Sequence, residues 1–374
     1  MKKILFVITV DWSFINLRLN LAENAIRDGY EVALITKYTK YKDYIKSKGI
    51  TTFDWSISRG SLNPINSIIS IYQIKKVVKK WNPDLIFSVS MKSVLFSCCV
   101  SILHKNISLI SAFGGLGFVF SSSSLKAKIL GSIIAKILSI FFYKGNNLLI
   151  LQNDDDKSKL IDLKIVKEKN IRIIRGTGVD SNYFLPKKLS KNSSIVLLPC
   201  RILWDKGIRE FVEVAKSISN RGVKARFVLV GEFDKENPES IDKKIIEKFV
   251  SEGIEYWGHF EDMRKVYERS RIILFPSYRE GFPKVLLEAA SSSRPIVAFD
   301  VPGCKDIVFD RINGILVNFK NIIKLEEAVF ELLSDYKKCD DYGRAGRELI
   351  LKNFSSEKNY RETLKVWYEA YKKK

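Results

Sequence analysis

Short apolar, β-branched runs alternate along the chain with longer segments of helical periodicity. In the first half strands are expected at Ile4–Val10, Val32–Thr36, Leu85–Val89, Ser108–Ala112, Leu148–Leu151 and Ile171–Ile174. In the second they are expected at Ile195–Leu198, Arg226–Val230, Ile254–Trp257, Arg271–Phe275, Ile296–Phe299 and Ile315–Val317. Helices are expected at Leu17–Asp28, Ile65–Trp81, Leu125–Tyr143, Ile208–Asn220, Ile241–Glu252, Lys284–Ser292 and Ser356–Lys373. Continuous apolar strands separated by helices imply parallel sheets covered on both faces.

Twelve such strands are too many for one sheet and suit two. The polar stretch Leu185–Ser194 carries Pro186 and lacks apolar periodicity, so it reads as the linker. The expected architecture is α/β, with a Rossmann-like domain over residues 1–185 and a second over 194–355. Residues 356–374 form a helix packing back onto the first. Open α/β sheets bind ligands beyond their C-terminal strand ends, so the expected ligand position is a central cleft faced by both sheets.

With 374 residues and 46% apolar content, the chain can bury two cores. Five cysteines, without metal-ligand spacing, read as reduced thiols of a cytosolic protein. Two histidines, His104 and His259, argue against a His-rich metal site or a Ser-His-Asp triad. The opening MKKILFVITVDW has too short an apolar run for a signal peptide and reads as a strand. No apolar stretch is long enough to span a bilayer.

The net charge of +21 is uneven: residues 1–190 hold 29 Lys and Arg against 13 Asp and Glu. An acidic partner therefore meets the first half. No zinc finger, RRM or basic arm accompanies the charge, so nucleic acid is not expected. An anionic membrane surface is.

Phe275–Pro295, FPSYREGFPKVLLEAASSSRP, carries the most chemistry. A strand ends, a loop presents Glu280, Gly281 and Phe282, and Pro283 opens a helix. Backbone N–H groups of Lys284, Val285 and Leu286 are then available to a phosphate. Glu288 can accept hydrogen bonds from ribose hydroxyls, and Glu280 from those of a sugar. This pattern resembles the E-x7-E donor motif of retaining glycosyltransferases of the GT-B fold, in particular glycosyltransferase family 4. The resemblance implies that Glu280 contacts the donor sugar and Glu288 the nucleoside ribose. It departs at Ser293-Arg294, where the family usually has Gly before the Pro of the next strand.

CRILWDKG, Cys200–Gly207, follows the strand Ile195–Leu198. Arg201 and Lys206 can stabilise the charge that grows on a departing nucleoside diphosphate, as an Arg and a Lys-Gly do in that family. Gly231-Glu232 resembles a further strand end of the family. Gly258 and His259 resemble its base-holding loop, with His259 as a wall of the base pocket. Gly176–Asp180, with Phe184, resembles the end of its first domain.

On the acceptor side, Val10–Arg18 reads as a cleft-facing loop without the G-x-G-x-x-G of dinucleotide enzymes. Trp12, Ser13, Phe14 and Arg18 lie in it; Trp12, Phe14 and Arg18 resemble a subgroup that extends lipid-linked sugars. Ser111–Phe120 resembles the same subgroup, and its Gly114, Gly115 and Gly117 allow close approach of a sugar or phosphate. No histidine occurs at Ser111–Gly117, so catalysis is not expected to depend on one there. Leu125–Tyr143 is apolar with Lys126, Lys128 and Lys136 interspersed and Lys144 beyond it, which suits either a membrane interface or a core. Asn153–Asp156 contains D-x-D, a metal motif elsewhere, but reads better as a helix cap. With Arg201 and Lys206 serving the diphosphate, no metal or other cofactor is expected.

The resulting expectation is a retaining glycosyltransferase moving a hexose or N-acetylhexosamine from a UDP-sugar to a polyprenyl-diphosphate-linked saccharide in surface polysaccharide biosynthesis. It is expected in the cytoplasm, peripheral to the inner face of the cytoplasmic membrane. The alternatives are a nucleotide-sugar 2-epimerase of the same architecture and a non-enzymatic basic membrane- or nucleic-acid-binding protein.

Overall fold

The computed structural model describes residues 2–58, 60, 63–104, 106–116, 120, 125–145, 147–188, 193–234 and 236–372, without the side chains of residues 125–128. The chain forms two compact units, one of Met1–Thr177 with Lys358–Lys374 and one of Gly178–Glu357.

In the first unit the elements run β1 (Lys3–Val10), α1 (Asp11–Arg27), β2 (Glu31–Lys37), α2 (Lys42–Ser47), β3 (Thr51–Asp54), α3 (Pro64–Trp81), β4 (Leu85–Val89) and α4 (Met91–Ser101). They continue as β5 (Ser108–Ala112), α5 (Leu125–Phe142), β6 (Leu148–Leu151), α6 (Asp154–Asp162) and β7 (Ile171–Ile173). The strands order β3-β2-β1-β4-β5-β6-β7, and every described pairing is parallel. Side chains alternate between faces along a strand. Accordingly Leu5 and Val7 join the core under α3, α4 and α5, while Ile4, Phe6 and Ile8 join the core under α1.

The second unit repeats the plan with β8 (Ile195–Pro199), α7 (Ile208–Asn220), β9 (Arg226–Val230), α8 (Lys243–Ser251), β10 (Glu255–Tyr256), α9 (Arg264–Tyr267) and β11 (Ile272–Phe275). Then come α10 (Lys284–Ser291), β12 (Ile296–Phe299), β13 (Gly314–Val317), α11 (Ile322–Ser334) and α12 (Tyr336–Leu349). Its order is β10-β9-β8-β11-β12-β13, again parallel throughout. Both orders reverse direction beside their first strand, at β1/β4 and at β8/β11. That switch point is where an open α/β sheet leaves a crevice for ligand.

Helix α13 (Ser356–Lys372) carries the chain back to the first unit. Trp367 is fully buried there, its ring edge-on to Phe6, Tyr30 and Phe87 at 5.8–6.4 Å. Arg172 pairs with Glu369, and Tyr360 with Asp28.

Three expectations change. An additional strand, β3, pairs with β2; its sequence TTFD is half-exposed at a sheet edge and lacks an apolar run. Val10–Arg18 is no loop, because β1 passes directly into α1 at Asp11. The buried Asp11 carboxylate accepts from the N–H groups of Trp12, Thr39, Lys40 and Tyr41, joining that helix start to the segment after β2. The chain changes units at Thr177–Gly178, ahead of the linker expected at Leu185–Ser194. Val179 bridges to Ser355, and the Phe184 carbonyl accepts from Ser291 and Arg347, so this segment is already part of the second core.

Among the described residues no helix is long and apolar enough to cross a membrane. The five cysteines are unpaired. Asn153 caps α6 by accepting from the Asp156 N–H at 2.7 Å, the capping role expected of that cluster.

Candidate active site

The loops after β8 and β11 flank the switch point of the second sheet, and they bring Lys206 to Glu280. The Lys206 Nζ donates to Glu280 Oε1 at 2.8 Å and lies 3.3 Å from Asp205. Gly207 makes this approach possible. It adopts φ +72°, and a Cβ there would fall 1.9 Å from the Pro276 carbonyl oxygen. Only glycine permits the two loops to touch.

Lys206 is buried. Burial pulls its ammonium pKa down, but the charges of Glu280 and Asp205 and the hydrogen bond to Glu280 outweigh that, so it stands above its ordinary 10.5. The cation is therefore held charged in a partly desolvated place. That is the condition under which a fixed charge acts most strongly on a departing phosphate.

Glu280 is fixed through one of its carboxylate oxygens. Ser277 Oγ also donates to Oε1, at 2.8 Å, so both tethers share one oxygen. The Glu280 N–H donates to Pro302, and Gly303, at φ +83°, lies so close that a Cβ would meet the Glu280 carbonyl at 2.7 Å. Glu288, buried on α10, accepts from the Tyr267 hydroxyl at 3.1 Å and pairs with Lys284 at 3.4 Å. Burial, then the charge of Glu288, drives the Tyr267 pKa well up, so the phenol keeps its proton.

Arg201 stands at the end of β8 with its guanidinium half-exposed and donating to Asp234 at 2.8 Å. Its charge reaches Lys206 through space, yet its hydrogen bond goes to neither glutamate. The structure thus joins Lys206 and Glu280 directly and leaves Arg201 beside them on Asp234. Gly258 adopts φ +73° and its carbonyl accepts from Gly231. His259 is half-exposed, 3.7 Å from Glu232.

Some expected donor groups face inward. Phe282 is buried, its ring 5.3 Å from that of Phe354, and the Leu286 side chain is wholly interior. The Leu286 N–H donates to the Pro283 carbonyl, so it is not open to a phosphate as expected. Gly281 and Pro283 are buried in the turn, while Lys284 and Val285 are half-buried at the start of α10. The Ser293-Arg294 departure is absorbed locally: Ser293 takes φ +57°, and the buried Arg294 donates to the Lys187 carbonyl.

In the first unit, Trp12 and Ser13 are half-buried in the first turn of α1. Phe14, expected to face an acceptor, is fully buried edge-on to Phe6, because the helix turns that position onto the sheet. Arg18 is buried too, and desolvation lowers its pKa to about 10. Gly114 is exposed and Gly115 takes φ +123°; Gly117 lies outside the described residues.

Sequence reasoning missed Ser277, Tyr267, Asp234 and Gly303. Ser277 sits within the motif stretch itself, three positions before Glu280, and was the one within reach.

The chain matches the family described as "Glycosyl transferases group 1" over residues 181–349 and "Glycosyl transferase 4-like" over residues 3–153. It is 30% identical to the N,N'-diacetylbacillosaminyl-diphospho-undecaprenol alpha-1,3-N-acetylgalactosaminyltransferase of Campylobacter jejuni, across 82% of this chain and 83% of that one. It is 24% identical to the UDP-Gal:alpha-D-GlcNAc-diphosphoundecaprenol alpha-1,3-galactosyltransferase of Escherichia coli, across 73% and 72%. Its fold matches a sucrose-phosphate synthase from Thermosynechococcus elongatus over the whole of both chains, with a TM-score of 0.83 at 19% identity. It also matches an Anabaena protein solved with UDP-glucose, over 99% and 100%, with a TM-score of 0.80 at 14% identity. With two parallel Rossmann-like sheets, a Lys-Gly loop meeting the first glutamate of E-x7-E, and these relatives, the chain belongs to the group 1 and 4-like glycosyltransferases of the GT-B fold.

Proposed function

We propose that this glycosyltransferase moves a hexose or N-acetylhexosamine from a UDP-sugar to a polyprenyl-diphosphate-linked saccharide, with anomeric retention, in the assembly of a surface polysaccharide. The observation that carries the reading is the Lys206–Glu280 contact at the switch point of the second sheet. It sets a sugar-binding carboxylate beside a buried cation. Relatives named for undecaprenyl-diphosphate-linked substrates support the acceptor class.

In this reading Glu280 Oε2 accepts from a donor-sugar hydroxyl and Glu288 from the ribose. Lys206, with Arg201 beside it, stabilises the diphosphate as the glycosidic bond breaks, in place of a divalent metal. Gly258 and His259 border the base. Trp12, Ser13, Gly114 and Gly115 serve the acceptor, and the enzyme works peripherally on the inner face of the cytoplasmic membrane. Helix α5 supports that placement: Ile134, Leu138 and Phe142 face the core, while Ile129, Ile133, Lys136 and Ile140 face outward. It is both a core helix and an amphipathic surface.

The test is a mass-spectrometric screen of UDP-sugars against a panel of lipid-linked acceptors. A glycosylated lipid that disappears in Lys206→Ala and Glu280→Ala is the expected result. Undiminished transfer in both variants would reject the site, and conversion of UDP-sugar without acceptor would make the protein an epimerase.

A further inference from the structure

Helix α3 (Pro64–Trp81) carries an outward stripe that is exposed among the described residues. Ser70, Ile74, Val77 and Val78 face the core. On the opposite side Ile65 and Ile68 are each 66% exposed, Tyr72 is 64% exposed and Ile69 is 46% exposed. Further along the same side Lys75, Lys76, Lys79 and Lys80 are all exposed. Positions 65, 68, 69, 72, 76 and 79 follow helical i, i+3, i+4 spacing, so they form one row. The helix is about 27 Å long. Its outer face is apolar for the first two turns and basic for the rest.

The direction of that gradient matters. In a parallel sheet each crossover helix starts on the side where its strands end. The apolar half of α3 therefore lies at the C-terminal rim of the first sheet, the rim that also carries the start of α1 and, after β5, Gly114 and Gly115. The exposed Ile129 and Ile133, near the start of α5, lie at the same rim by the same rule. Helix α4 packs between α3 and α5, so the apolar stripes flank one helical layer.

We propose that α3 is a bilayer-docking element, its Ile65–Tyr72 turns entering the interface of an anionic membrane while its lysines lie on the headgroups. The occupant is an anionic lipid surface, because the lysine row supplies the complementary charge and the first half of the chain holds the bulk of the positive excess. The inference rests on the lipid-linked acceptor proposed above, since docking at this rim brings the ligand end of the first sheet to the membrane.

The test is sedimentation of the full-length enzyme with vesicles of phosphatidylcholine alone or with phosphatidylglycerol. Wild type is expected to bind the anionic vesicles. Ile68→Ser with Tyr72→Ser should weaken binding at least tenfold, and Lys76→Glu with Lys79→Glu should remove the preference for phosphatidylglycerol. Transfer to a water-soluble acceptor analogue should be unchanged in both variants, which shows that they fold. Vesicle binding equal to wild type in both double variants overturns the proposal. So does a wild-type dimer that Ile68→Ser with Tyr72→Ser converts to monomer, which would assign the face to a second copy. If wild type binds vesicles but transfers no sugar, the functional reading fails and the docking face stands.

Discussion

Lys206 and Glu280, 74 positions apart in the chain, share a 2.8 Å hydrogen bond in which the buried partner is the cation. Removing it by Lys206→Ala leaves Glu280 with Ser277 alone and takes away the buried positive charge that the proposed function sets against the departing diphosphate. We expect kcat to fall by about 10²- to 10³-fold, the usual loss for one electrostatic stabiliser of the transition state. Stability should fall by about 3 kcal/mol, the low end for a broken buried pair, because Glu280 opens partly to solvent. Single-turnover kinetics and denaturant unfolding measure the two effects.

The same pair has a pH signature. The Lys206 pKa is raised above 10.5, because Glu280 and Asp205 together outweigh the downward pull of burial. A raised folded-state pKa means that the contribution is complete below 10.5 and is lost as pH rises through the folded value. The difference in unfolding free energy between wild type and Lys206→Met should therefore be level from pH 7 to 10. A difference that shrinks within that range would contradict the assignment.

Ser277 is a positioning residue that acts through Glu280, since its hydroxyl donates to Oε1 at 2.8 Å. Ser277→Ala should lower kcat roughly fivefold to tenfold, with the KM for donor nearly unchanged, as expected for loss of one hydrogen bond with a net worth of about 1 kcal/mol. In a Glu280→Ala background, which removes the acceptor, the same substitution should have little further effect. Additive losses would assign Ser277 another role.

Tyr267→Phe removes the proton that serves Glu288 and the Val285 carbonyl. The expected result is a several-fold rise in the donor KM with little change in kcat, and a stability loss of about 1 kcal/mol. Titration calorimetry with UDP separates this from a general loosening.

Chelation should leave the enzyme active. Lys206 and Arg201 put fixed cations at the end of β8, and a diphosphate held by them does not require a bridging metal. Transfer rates with EDTA are expected to equal those with magnesium within a factor of two. A large loss, restored by Mg²⁺ or Mn²⁺, would overturn that assignment of charge.

Much of the architecture was legible, because strands buried on both faces are written as unbroken apolar runs. Leu85–Val89, Ser108–Ala112, Leu148–Leu151, Arg226–Val230 and Ile296–Phe299 have the same bounds in the structure as in the pattern. Strand β3 was not legible, since an edge strand half in solvent needs no such run. Phe14 and Phe282 could not be placed either: an aromatic beside a functional loop looks the same in sequence whether it lines a site or fills a core.

The amino-acid order alone determined that two α/β halves exist and that Glu280 and Glu288 lie one loop and one helical turn apart, because both features depend on local periodicity. The tertiary structure decided which charges meet. Lys206 faces Glu280 while Arg201 bonds Asp234, and Ser277, Tyr267 and Gly303 hold the two glutamates from behind. Side-chain pairing depends on which strands become neighbours, and the β8/β11 adjacency comes from sheet packing between segments far apart in the chain.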